Sequence, residues 1–142
     1  MARTKARRRP RVHRDPVPRH EQQYCSAGGW LFDVEHAHRL IRAQPRSLVL
    51  IDVQTWARLY GLDGNPKSRI TPGPSFDALH ALTVDLTRPL ILAAVPTTSG
   101  GRCTLLIDGT HRLARGFIEG VETLPAWLLS TDETDAITRI RP

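Results

Sequence analysis

The stretch from Cys103 to Gly120 constrains this chain more than any other. Cys103-Thr104-Leu105-Leu106-Ile107 is a short, nearly continuous apolar run with β-leaning residues, the pattern of a strand covered on both faces. Five residues then break the pattern, Asp108-Gly109-Thr110-His111-Arg112, and helical spacing takes over. Leu113 and Phe117, and Ala114 and Ile118, stand four apart, while Arg112, Arg115 and Glu119 fall on the opposite, polar side, and Gly120 supplies a C-terminal stop. A covered strand feeding an amphipathic helix requires helices packed on a sheet. The expected fold class is therefore α+β or α/β, a single small domain with a mixed sheet and flanking helices.

The junction concentrates chemistry. Gly109 allows the backbone to pass close to a ligand, and the first amides of the following helix are donors at the positive end of its dipole, which favours an anion such as phosphate. Arg112 adds a planar, permanently charged fork suited to phosphate oxygens. Asp108 reads three ways: as a Mg²⁺ ligand, as a base for an attacking hydroxyl, or as a helix cap. The bland alternative has Asp108 and Thr110 as caps, His111 half exposed and Arg112 paired with a surface acid.

The rest of the chain reads as scaffold. An amphipathic helix is expected over Val34–Ala43, with Val34, Ala37 and Ile41 as its apolar positions; Leu48-Val49-Leu50-Ile51 reads as a strand; Trp56, Leu59 and Tyr60 suggest a short helix after Asp52. Gly61 to Pro74 reads as a loop able to close over a ligand, and Ser75 as the cap of a short helix with Phe76, Leu79 and Leu82 on its apolar side. Leu90-Ile91-Leu92-Ala93-Ala94-Val95 makes another strand, far too short to span a bilayer, and Gly100-Gly101 marks a hairpin. A soluble, cytoplasmic protein without a membrane partner is expected. Cys103 is expected to be a small buried hydrophobe and Cys25 to sit in a loop. His36 and His38, two apart on a helix, point to different faces and lack companions with zinc spacing, so no metal site is assigned to them. Glu35 and Asp52 are the acids of the first half best placed to reach a site, Asp52 because it ends an expected strand, although capping or solvation is the commoner role for each; either one facing Asp108 would favour catalysis over binding.

Charge is distributed unevenly. Residues 1–20 hold eight Arg or Lys against Asp15 alone, a balance of +7, whereas the twelve basic and thirteen acidic residues of 21–142 balance to −1. Arg7-Arg8-Arg9-Pro10-Arg11, followed by Pro16 and Pro18, cannot bury apolar surface, so residues 1–20 are expected to form a disordered basic tail ahead of the folded domain, 21–142. Arg7, Arg8, Arg9 and Arg11 are candidate contacts to nucleic-acid phosphates or an acidic partner, though no aromatic residue interleaves them for base stacking.

In order along the chain come Arg88-Pro89-Leu90-Ile91 opening an apolar strand, the Gly-Gly hairpin, the Asp108-Gly109-Thr110-His111-Arg112 turn with Leu113-Ala114 after it, then Gly120 and Thr123-Leu124-Pro125-Ala126-Trp127. Over residues 83–130 this resembles the ParB/sulfiredoxin superfamily, in its D-G-x-H-R form. The resemblance implies a strand-to-helix turn that holds nucleotide phosphates, with His111 and Arg112 at the contacting positions beside Gly109 and Thr110. It also implies CTP, ATP or ADP with Mg²⁺ as cofactor. Thr110 stands where sulfiredoxins carry their cysteine, and a hydroxyl cannot replace that thiolate, so sulfiredoxin chemistry is not expected. Partition proteins carry a DNA-binding helix-turn-helix after this module, while this chain ends at Pro142, so a complete partition protein is not expected either. Two functional classes remain. One is a module that binds a nucleotide or other phosphate ligand, on or near nucleic acid. The other is a small phosphotransferase or nuclease-like enzyme with Asp108 and His111 as catalytic residues and Arg112 stabilising charge.

Overall fold

Leu90–Pro96 is the most apolar stretch of the chain, and four of its first five residues, with Val95, leave no meaningful surface to solvent, so it takes the centre of the fold as strand β4. The computed structural model describes residues 24–64 and 77–142. The basic tail with Arg7, Arg8, Arg9 and Arg11, the greater part of the 61–74 loop, Ser75 and Phe76 lie outside the described residues.

A hairpin of β1 (Tyr24–Ala27) and β2 (Trp30–Asp33) opens the fold, followed by α1 (Val34–Ala43), β3 (Val49–Asp52), α2 (Val53–Leu59) and a single turn, α3 (Ala78–Ala81). After β4 come β5 (Arg102–Asp108), α4 (Thr110–Ile118), β6 (Thr123–Leu128), α5 (Thr131–Ile137) and β7 (Thr138–Ile140). The main sheet has the order β3-β6-β4-β5 and is mixed: β4 runs parallel to β6 and antiparallel to β5, and β3 is antiparallel to β6. A second, antiparallel sheet, β1-β2-β7, was not anticipated from sequence.

Helices cover both faces of the main sheet. On one face Ile91, Ala93, Val95 and Ile107 pack against Phe32, Val34, Ala37, Ile41, Leu129 and Ile137, so α1, α5 and the small sheet form one layer. On the other, Leu90, Leu92, Leu106, Leu124 and Ala126 meet Val53, Tyr60 and Leu113 from the α2 and α4 side. The expectation of a small mixed α+β domain is met, and the Val34–Ala43 helix has the predicted bounds.

Several local expectations need correction. β5 is covered on both faces only towards its C-terminal end: it is an edge strand, and Arg102, Cys103 and Thr104 lie exposed at the hairpin end. Cys103 is thus exposed, not buried, and Cys25 belongs to β1, not to a loop. The short helix α3 is capped by Asp77, whose carboxylate accepts from the Leu79 and His80 amides, and Leu79 and Leu82 are exposed. In α2 the apolar side is set by Val53 and Ala57, leaving Leu59 exposed.

Two side chains complete hydrogen bonding where strand partners run out. The Tyr60 hydroxyl accepts from the Leu106 amide at 2.6 Å and donates to the Leu106 carbonyl at 3.3 Å, closing the outer edge of β5. Where β6 ends, Leu129 N–H bonds the Leu92 carbonyl at 2.9 Å, and the buried Thr134 hydroxyl then accepts from Ala94 N–H at 3.0 Å. Among the described residues the opposite edge carries no such seal: Leu48, Val49 and Leu50 of the β3 segment are exposed, as is Leu128 beside them. Arg46 ties the turn before β3 to α5, bonding both carboxylate oxygens of Glu133 at 2.5 and 2.6 Å while Glu133 completes a capping box with Ser130.

Burial pushes the Tyr60 hydroxyl well above its ordinary pKa, so it stays protonated and donates. Tyr60→Phe leaves both polar atoms of Leu106 without that partner, and an orphaned buried group costs about 1–3 kcal/mol. The expected loss of that size is read from urea unfolding midpoints at constant m-value.

Candidate functional site

The turn after β5 is built on one acid and two basic side chains, Arg112 from the next helix and His38 from 70 residues back in the chain. Asp108 ends β5 and is largely buried. Its Oδ2 receives Arg112 Nη2 at 3.0 Å, one helical turn ahead, and His38 Nε2 at 3.1 Å from α1 across the sheet. The second amino group of Arg112, Nη1, donates to the Pro89 carbonyl at 3.0 Å, just before β4. One carboxylate thereby joins α1, β5, α4 and the entry to β4.

Arg112 corrects the sequence reading. It is only 8% exposed, on the buried side of α4, because its side chain folds back over the preceding turn to reach Asp108 and Pro89. Asp108 is likewise no helix cap: its carboxylate faces Arg112 and His38. Burial drives its pKa up, but the His38 hydrogen bond and the charges of Arg112 and His38 outweigh burial and hold it below the usual carboxylate range. The acid is ionised at neutral pH.

Gly109 occupies the cap position of α4 with φ 108°, in the left-handed region. A Cβ there would collide with Leu90 Cδ2 and crowd the Arg112 guanidinium at 3.1 Å, so glycine is required twice over, by backbone and by packing. No side chain caps α4, whereas Asp33, Asp52, Asp77 and Ser130 cap the other helices described. Thr110 and His111 form the first turn of α4 at partly exposed positions.

His111 does not join the Asp108 cluster directly. Its Nε2 accepts from the Asp77 amide at 2.9 Å, and its ring stands edge-on to His80, with centroids 4.8 Å apart. Burial and the neighbouring His80 push its pKa below the ordinary imidazole value, consistent with a neutral ring that accepts a hydrogen bond. Arg115 donates to the Val84 carbonyl and pairs with Glu119 at 3.0 Å, fastening the segment before β4 to the same helix.

Neither acid proposed as a second wall faces Asp108. Glu35 pairs with Arg39 on its own helix at 3.5 Å. Asp52 caps α2 through Thr55 and lines a cavity of about 310 Å³ with Phe117, Gly120, Glu122 and Thr123, at the far end of α4. The residue that sequence reasoning passed over is His38. Its helical offset from His36 was visible, and His36 does point elsewhere, its Nδ1 lying 3.3 Å from Arg139 Nη2. Nothing local connects His38 with an acid 70 residues away.

Among the described residues no group of three or more His, Cys, Asp or Glu side chains is arranged to hold a metal ion. Asp108, with Arg112 and His38 both on its Oδ2, does not offer the open carboxylate of a Mg²⁺ ligand in this arrangement. No helix among the described residues is long and apolar enough to cross a membrane. Compared with protein-family models, curated proteins and solved structures, the chain matches none.

Two outcomes follow from this geometry. Gly109→Ala must absorb both a positive φ and the collision with Leu90, and is expected to lose at least about 2 kcal/mol of unfolding free energy in denaturant titrations. For Asp108 the folded pKa lies below the unfolded one, so its contribution is present above the unfolded value near 3.8 and is lost as pH falls through the folded pKa. Wild type should therefore exceed Asp108→Asn in stability at pH 7, with the gap closing below about pH 4 in parallel urea titrations.

Proposed function

We propose that this chain is a ParB-like domain that binds a nucleotide or other phosphate-bearing small molecule at the β5–α4 turn. The observation that carries the reading is the N-terminus of α4, where glycine replaces a capping side chain and the adjacent acid is drawn away by His38 and Arg112. An uncapped helix start combines amide donors with the positive end of the dipole, and phosphate is the anion that such a start accommodates best. The Thr110 hydroxyl and the rim formed by His111 lie in the same first turn.

In this reading Arg112 backs the turn from below. It neutralises Asp108, which would otherwise repel an incoming anion, and it holds the glycine in position. Mg²⁺ would arrive with the nucleotide phosphates, since it is commonly bound through phosphate oxygens and water with few protein ligands. The tail residues Arg7, Arg8, Arg9 and Arg11 are proposed to add sequence-independent attraction to nucleic acid, which would weaken steeply as salt is raised.

Thr110→Asp tests the turn without undermining the helix. An acid in the first helical turn favours the dipole by about 0.3–1 kcal/mol, so the melting temperature should hold or rise. An anionic ligand, in contrast, meets a like charge. Calorimetric titration of ATP, ADP and CTP with Mg²⁺ should show binding to wild type and at least a tenfold weaker affinity in the variant. Equal affinity in both proteins, or none in wild type, rejects the site.

A further inference from the structure

Pro125 decides which way the backbone of β3 faces. In the register of β3 and β6, Leu50 stands opposite Pro125, between the pairs Val49–Ala126 and Ile51–Leu124. Proline has no N–H, so Leu50–Pro125 is a non-hydrogen-bonded pair of the antiparallel ladder, and the bonds to β6 are made by Val49 and Ile51. Val53 N–H, bonding the Glu122 carbonyl at 2.9 Å, continues the same alternation. Successive peptide units of a strand point in opposite directions. Both polar backbone groups of Leu50 therefore face away from the sheet, as do the Leu48 carbonyl and the Asp52 amide. Among the described residues nothing bonds them.

The side chains along this edge are apolar and open. Leu50 is 70% exposed and Leu48 48%, and Val49 and Leu128 are exposed as well. Natural sheets blunt such edges with lysine, proline, a bulge or a covering element. The β5 edge is closed by Tyr60, whereas among the described residues 48–51 carry none of these devices. Asp52 ends the strand, and its carboxylate is turned onto the amide and hydroxyl of Thr55 in its own helix.

We propose that β3 is the interface of a two-fold homodimer, in which a second copy of this chain lays its β3 antiparallel to the first and joins the two four-stranded sheets into one. Symmetry and charge select this occupant. A two-fold contact requires one patch to complement itself. With Leu50 opposite Leu50, the amide of each meets the carbonyl of the other, and each Asp52 amide meets the Leu48 carbonyl across the axis. Side chains then pair Leu50 with Leu50 and Leu48 with Asp52, so no like charges are opposed. The Asp52 end of each strand also lies at the Arg46 end of the other, bringing opposite signs together. A strongly charged partner finds no matching row of charge here. Pairing over residues 48–52 is small beside a standard interface, so the dimer forms in the micromolar range.

The test is sedimentation velocity of the full chain from about 5 to about 500 µM, over which wild type is expected to pass from monomer to dimer. Leu50→Pro is the informative variant. β6 does not use the Leu50 amide, so proline keeps the fold, as it does on edge strands generally, yet removes the donor at the two-fold. It should melt with wild type and associate at least about tenfold more weakly. Leu50→Lys, which leaves the backbone intact, should weaken association likewise. Hydrogen-bonded antiparallel partners stand about 5.5 Å apart at Cα, within disulfide reach. Under mild oxidation Leu50→Cys in a Cys103→Ser background should therefore give a cross-linked dimer, whereas Ile118→Cys, 62% exposed on α4, should not. Wild type that stays monomeric at every concentration overturns the proposal and leaves the edge to a strand of another protein. A dimer that survives both Leu50→Pro and Leu50→Lys, or in which Leu50→Cys fails to cross-link, overturns it equally.

Discussion

Asp108 is the constraint on which this fold turns. A buried carboxylate is costly unless its charge is met, and here an arginine and a histidine bond it from opposite directions, one from the next helix and one from across the sheet. Replacing Arg112 would leave an under-compensated charge in the interior, a defect that typically costs about 3–5 kcal/mol for a buried pair. The same arrangement removes the acid from the start of α4, where an aspartate would ordinarily cap the helix. Structural necessity and the vacancy of that helix start thus have one cause. The glycine between them completes it, since only a residue without Cβ fits between Leu90 and the Arg112 guanidinium.

The layered architecture was legible because it is written in local periodicity. The apolar runs of β4 and β5, the i,i+4 pairs of α4 and the spacing of Val34, Ala37 and Ile41 each report a buried face within a dozen residues. What stayed hidden was set by partners far along the chain. Cys103 reads as a core residue from its neighbours, yet lies at the exposed end of an edge strand. The small β1-β2-β7 sheet could not be foreseen, as its strands are four, four and three residues long and two of them sit at opposite ends of the described chain.

The site followed the same rule. Asp108, Gly109, Thr110, His111 and Arg112 stood out as a cluster, and they are adjacent in space because they are adjacent in sequence. Their roles were less accessible. Helical-wheel logic put Arg112 outside, and only the inward pull of a buried anion explains its 8% exposure. Glu35 and Asp52 were reasonable choices for a second wall on chemical grounds, whereas the group that faces Asp108 is an imidazole. Pairwise electrostatics across 70 residues leaves no signature in one sequence.

The last strand of the fold pairs with one of the first. Phe32 of β2 is aligned with Thr138 of β7, and Arg139 reaches Asp33 across 106 residues at 3.0 Å. Ordering contacts that span most of a chain carries a high loop-closure cost and slows folding. During synthesis β2 therefore cannot find this partner until residues 138–140 have left the ribosome. Until then the apolar side of Phe32 and the free edge of β2 are available to other chains, which makes the interval between translation and closure the period of greatest aggregation risk for this domain.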